Sequence, residues 1–212
     1  KTPSGGSGVK GTGSVPATSA DGGTKSSTAG FADVKKDAWY YDAVEYVCSN
    51  NLFKGISETE FAPDAELTRA MFVTVLYRFE KEPQADGAAK FADVSDGSWY
   101  ANAVAWANEK GIVSGISETE FAPDKSITRE QMAAVMYNYA KFKGIDVSKY
   151  ENTDISAFAD CSEISEYAYG ALKCLVGIGI MSGKSESTLN PKDTATRAET
   201  AMVIMKMIKG MF

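Results

Sequence analysis

GISETEFAPD occupies residues 55–64 and, letter for letter, residues 115–124. An identity of this length inside one chain marks an internal repeat, and the flanking residues repeat with it. Upstream, FADVKKDAWY (31–40) returns as FADVSDGSWY (91–100) and, with one inserted residue, as FADCSEISEYA (158–168). Downstream come LTRAM, ITREQ and ATRAE, and the block itself degenerates to GKSESTLNPKD at 183–193. Three copies therefore make up the folded part, over residues 31–90, 91–157 and 158–212.

Each copy carries two stretches with helical period. Tyr40, Ala43, Val44 and Val47 fall at i, i+3, i+4 and i+7, as do Tyr100, Ala103, Val104 and Ala107. A second run follows the threonine of each TR pair: Phe72, Val75, Leu76, Phe79, then Met132, Val135, Met136, Tyr139, and in the third copy Val203, Ile204 and Met207. Between the runs, Gly55, Gly115 or Gly183 follows a short apolar step and Pro63, Pro123 or Pro191 closes the loop. The spacing predicts a mainly α fold of three helix-loop-helix repeats, with a few residues of strand around FAPD. One helix pair buries too little to fold alone, so the copies are expected to share a helical bundle with pseudo-threefold symmetry and clefts between neighbours.

Residues 1–30 are Gly, Ser and Thr with scattered Lys, and read as a flexible linker from longer upstream sequence. The chain carries a formal charge of −6, which supplies no basic excess for nucleic acid or an anionic membrane; any bound anion must be gripped locally. Histidine is absent, which removes Ser-His-Asp and Cys-His nucleophiles and the usual imidazole metal ligands. Cys48, Cys161 and Cys174 form no C-x-x-C pair and read as buried free thiols, a Cys161–Cys174 bridge being the alternative. No apolar run reaches the roughly 20 residues of a membrane span. DVSDG at 93–97 lacks the spacing of a calcium loop and reads as a turn, so no metal or cofactor is expected.

The chain has four arginines, and three of them, Arg69, Arg129 and Arg197, hold one equivalent position just after a threonine. Thr68, Thr128 and Thr196 are placed as N-caps, with capping boxes completed by Gln131 and Glu199 but broken by Met71. A cation at the first helical position opposes the helix dipole, so it needs a reason. Either each arginine pairs with an acid upstream (Asp64, Asp124 or Asp193), or guanidinium and free helix-start amides together form a seat for a carboxylate or phosphate. Trp39 and Trp99, with Tyr167 in the third copy, read either as core anchors or as aromatic faces fronting a cleft, where they would hold a sugar ring.

Together, FADV…WY…AV…FAPD…(L/I)TRE resembles the S-layer homology motif over residues 31–212. The resemblance implies a non-catalytic module whose inter-repeat grooves bind an anionic secondary cell-wall polysaccharide, often pyruvylated, so that a larger extracellular surface protein is held to the bacterial wall. It places Arg69, Arg129 and Arg197 on the ligand's carboxylate; Trp39, Trp99, Gly55, Gly115, Gly183, Ser114 and Ser182 are read beside them as shaping the sugar pocket. The chain departs from the motif at Met71 in TRAM, at Lys54 where the other copies have Ser114 and Ser182, and in the third copy's missing tryptophan and its insertion near Cys161. Unequal grooves are expected. Rival readings are a self-assembly or protein-interaction module and, more remotely, a glycan hydrolase using carboxylates such as Asp93 and Asp124.

Overall fold

The computed structural model describes residues 30–211; the linker read at 1–30 lies, apart from Gly30, outside them. Six α-helices follow in order: α1 (Tyr41–Ser49), α2 (Arg69–Phe79), α3 (Ala101–Glu109), α4 (Arg129–Phe142), α5 (Glu166–Ile178) and α6 (Arg197–Met211). The fold is mainly α, with two helices per copy. The anticipated strand around FAPD is not formed among the described residues; in its place, just before the second helices, are isolated antiparallel bridges joining Glu66 to Thr196, Thr68 to Ser126 and Thr128 to Thr194.

These bridges belong to a closed ring of backbone hydrogen bonds. Leu67 N–H donates to Ala195, Ala195 to Ile127, and Ile127 back to Leu67, at 2.9–3.0 Å. All three residues are buried, so the ring satisfies backbone groups that water cannot reach. Helix packing also links the copies in a cycle, in the sense opposite to the donor order of that ring. The second helix of each copy lies on the first helix of the next: α2 on α3, α4 on α5, and α6 on α1. One apolar core runs through all three copies, anchored by Phe61, Phe72, Phe121, Trp106 and Met136.

The caps read from sequence are made. Thr68 accepts from Met71 N–H, and Thr128 and Thr196 make reciprocal capping boxes with Gln131 and Glu199.

Within each copy, the opening FAD aspartate clamps the FAPD loop. Asp33 accepts from Phe61 and Ala62 N–H at 2.9 and 2.6 Å; Asp93 and Asp160 do the same for Phe121–Ala122 and Leu189–Asn190. Ala62, Ala122 and Asn190 have φ of 56°, 58° and 52°, the left-handed region that non-glycine residues enter only when held there. The loop glycines have a different reason. A Cβ on Gly183 would stand 2.3 Å from the Ser185 carbonyl and 3.0 Å from the Phe158 ring, and Gly55 and Gly115 are as tightly placed.

Candidate functional site

Each arginine at a helix start reaches into the loop of the following copy. Arg69 donates from Nε to Phe121 O and from Nη2 to Ser114 O, at 2.8 and 2.9 Å. Arg129 does so to Leu189 and Ser182 at 2.9 and 2.6 Å, and Arg197 to Phe61 and Lys54, both at 2.7 Å. All three are buried. Pairing with Asp64, Asp124 or Asp193 is not observed: the partners are carbonyls, and no ion pair involves these arginines among the described residues. The free helix-start amides expected of an anion seat are also not there. The N–H groups of Arg129 and Glu130 donate to the carbonyls of Asp193 and Pro191, and the other copies repeat the pattern. The following copy's loop turns its carbonyls onto the positive helix end, satisfying orphan donors that burial would otherwise strand.

The guanidinium fork thus spends two of its five N–H donors on protein carbonyls, which fix its plane. Arg129 also borders a cavity of about 300 Å³ built by all three copies. The second copy gives Arg129; the third gives the loop carrying Ser182, Gly183 and Lys184, and one stripe of α6 (Glu199, Met202, Val203, Lys206); the first gives Trp39. Three cations face one carboxylate there, and Lys184 stands 3.5 Å from that carboxylate, Glu199. Burial pushes the Arg129 guanidinium down from its ordinary value, while Glu199, Asp193 and Asp160 act the other way. In Arg197 the same desolvation brings it to about 10, which leaves it charged at neutral pH.

Comparison with known proteins completes this picture. The S-layer homology domain (SLH) matches the chain three times, over residues 30–71, 90–133 and 157–201. The chain belongs to the S-layer homology domain family. It is 32% identical over 179 residues to an amylopullulanase of Thermoanaerobacterium thermosulfurigenes, covering 84% of this chain and 9% of that protein. It is 30% identical over 172 residues to the surface-layer 125 kDa protein of Lysinibacillus sphaericus (80% and 14%), and 31% identical over 180 residues to the S-layer protein sap of Bacillus anthracis (84% and 21%). The chain spans about a fifth or less of each of these relatives. The amylopullulanase, which bears an enzyme name, is matched over only a small fraction of its own length.

In this SLH domain the core-anchor reading of the aromatics does not hold, and Trp39 lines the cavity at Arg129. Trp39 is 62% exposed, Trp99 41% and Tyr167 59%, so none is a core anchor; the core tryptophan is Trp106, at 1%. Trp39 and Trp99 are steadied only at the edge, each T-shaped against the tyrosine that follows it. Arg69, Arg129, Arg197, Ser114, Ser182 and the three loop glycines gather where neighbouring copies meet. Lys54 meets Arg197 through its backbone carbonyl, so its difference from Ser114 and Ser182 leaves that contact intact. The cysteines are free, Cys48 and Cys174 buried but Cys161 partly exposed beside the insertion, which winds into a short 3-10 turn at Cys161–Glu163.

Sequence reasoning passed over Lys184, Lys206 and Met202, although Glu199, Met202, Val203 and Lys206 fall at i, i+3, i+4 and i+7. It also considered Asp93 as a hydrolase carboxylate. The structure spends both of its oxygens on loop amides.

Proposed function

We propose that this SLH domain is a non-catalytic anchoring module of the bacterial cell surface, holding an anionic wall polysaccharide in clefts between copies set around an approximate threefold axis. The cyclic order of the helix and arginine contacts supports that arrangement. The observation that carries the functional reading is the cavity at Arg129, where a fixed guanidinium, two lysine ammonium groups and an exposed indole face one space. A carboxylate-bearing sugar matches that set, with guanidinium and ammonium taking the acid and Trp39 the apolar ring face. A pyruvate ketal, the substituent implied by the family resemblance, provides such a carboxylate. No helix of the described residues is long and apolar enough to cross a membrane.

Purified wall sacculi test this. The domain should sediment with intact sacculi, lose binding after chemical removal of the accessory polysaccharide, and bind less as Trp39→Ala while keeping its unfolding midpoint. Retention on stripped sacculi would favour the second reading, a self-assembly module, for which the likeness to surface-layer proteins speaks.

A further inference from the structure

We propose that Glu130, seated on Ser165, Tyr167 and Lys192, acts as an address: it lets the second copy take only the third as its neighbour, and so selects one of the two orders in which three similar copies can close on one another. This holds whatever the clefts bind.

The contacts that every seam shares cannot make that choice. Each arginine is held by backbone carbonyls, which any copy's loop presents, and the loops of the first and second copies are identical over GISETEFAPD. Repeats this alike misassemble, or exchange elements between chains, unless something tells their surfaces apart. With each second helix seated on another copy's first helix, three copies close in only two cyclic orders. The one found seats α2 on α3, α4 on α5 and α6 on α1; the reverse would seat α2 on α5, α6 on α3 and α4 on α1. Fixing one seat therefore fixes all three.

At one shared contact the seams differ in charge. The residue after each arginine donates its N–H to a proline carbonyl of the following copy: Ala70 to Pro123 and Glu130 to Pro191 at 3.0 Å, and Ala198 to Pro63 at 2.9 Å. The residues after those prolines are Asp124, Lys192 and Asp64. Two seams thus set alanine beside aspartate, and one sets glutamate beside lysine. Glu130, only 4% exposed, accepts from Ser165 N–H and Ser165 Oγ at 3.0 Å and from Tyr167 Oη at 3.1 Å, and meets Lys192 Nζ at 2.7 Å. Tyr167 stands where the other copies have Trp39 and Trp99, and Ser165, two residues earlier, where they have Asp37 and Gly97. Only the third copy offers hydroxyls and an ammonium at these places. In the reverse order Glu130 would seat on the first copy and face Asp37 and Asp64 instead, a buried carboxylate among like charges, while Lys192 would meet Ala70. A buried ion pair is weak as a source of stability, and setting register is the use such pairs serve best.

Refolding tests this. The full chain, labelled with fluorotryptophan, is unfolded in urea, diluted into neutral buffer, and read by fluorine NMR and sedimentation velocity. Trp106 reports the order: it is buried on α3 with its ring 5.7 Å from that of Tyr77 on α2, and the reverse order would put α6 in place of α2. The wild type should return one Trp106 resonance and one sedimenting species. Glu130→Ala combined with Lys192→Asp gives this seam the residues that the other two use, so it should fold, but with a second Trp106 resonance or with dimers formed by exchange between chains. Glu130→Lys combined with Lys192→Glu keeps an ion pair, yet the introduced lysine would suit Asp37 and Asp64 as well, so it too should give a mixture. Two Trp106 resonances in the wild type would overturn the proposal, as would one resonance and one species from the alanine–aspartate variant. Should that variant fail to fold, the charge-swapped one decides: a clean return to a single species would show that the pair is a clamp and carries no address.

Discussion

Arg197 lies over the ring of Phe61, its Cζ 4.5 Å from the centroid, while its Nε donates to the carbonyl of the same residue at 2.7 Å. The Phe61 amide in turn is held by Asp33. The third copy thereby closes on the first through a loop that the first copy has already fixed, and the planar guanidinium satisfies carbonyl and ring at once.

From this geometry Arg197→Lys should destabilise the domain despite unchanged charge. One ammonium on a flexible stem replaces a fork that serves Phe61 and Lys54 together, and a buried cation loses a partner. The expected loss is about 2 kcal/mol, the scale of one hydrogen bond to a charged group. Urea unfolding followed by circular dichroism would measure it. An unchanged midpoint would remove the arginine from the closure of the ring.

At Arg129 the same substitution should act on two readouts. Arg129→Lys should lower stability, and it should also weaken glycan binding by more than the stability loss accounts for when both are measured on folded protein. The loop aromatic is missing here, since Leu189 stands where Phe61 and Phe121 do, so among the described residues the hydrogen bonds that hold the guanidinium go to the carbonyls of Leu189 and Ser182. Calorimetric titration at a temperature well below the midpoint separates the effects. Wild-type affinity in the lysine variant would show that the planar fork is not what meets the ligand.

The FAPD loop carries a strain that can be relieved. Ala122 sits at φ 58° and is held there by Asp93. Ala122→Gly should raise stability by roughly 0.5–1 kcal/mol, because relief of the left-handed cost exceeds the added chain entropy of glycine. Asp93→Asn should lower it by about 1–3 kcal/mol, since an amide nitrogen is turned toward one of two partly buried N–H donors. Thermal melts of both variants test the pair; matching signs would contradict the clamp.

Glu130 sets a pH dependence. Burial alone would push its carboxyl up, but donation from Lys192, Ser165 and Tyr167 outweighs it and holds the group below the usual carboxylate range. A depressed folded value means that its stabilisation is complete above the unfolded value and fades as pH falls through the folded one. The stability gap between wild type and Glu130→Gln should therefore be full at neutral pH and shrink under acid, below about pH 4. A gap that stays constant down to pH 2 would show that charge is not what the cluster supplies.

How much of this was legible beforehand differs between elements. The helices were, because Val44–Val47 and Val75–Leu76 sit at a period that only one backbone geometry places on one face, and the threonine caps act over three residues. The clamp by Asp33, Asp93 and Asp160 was written in the sequence three times over, but a lone FAD aspartate does not announce which amides it will accept from. The orientation of Trp39 and Trp99 was not legible. A tryptophan beside a helical stripe fits a core or a cleft equally well until its neighbours are known.

By itself the sequence determined three copies, two helices in each, their caps, and an arginine at every second-helix start. All of these are short-range patterns, repeated where the chain repeats. Tertiary structure alone decided what each arginine meets: the carbonyls that take Arg197 lie 136 and 143 residues away, in a copy that sequence spacing cannot single out. It likewise decided that the amides of those helix starts are consumed from within, and that Lys184, Lys206 and Trp39 share one space with Arg129. The reason is cyclic closure. When the second helix of each copy packs on the first helix of the next, distant segments are brought together, and the cavity at Arg129 takes its lining from all three copies and part of its charge from Lys184 and Lys206, where the copies differ.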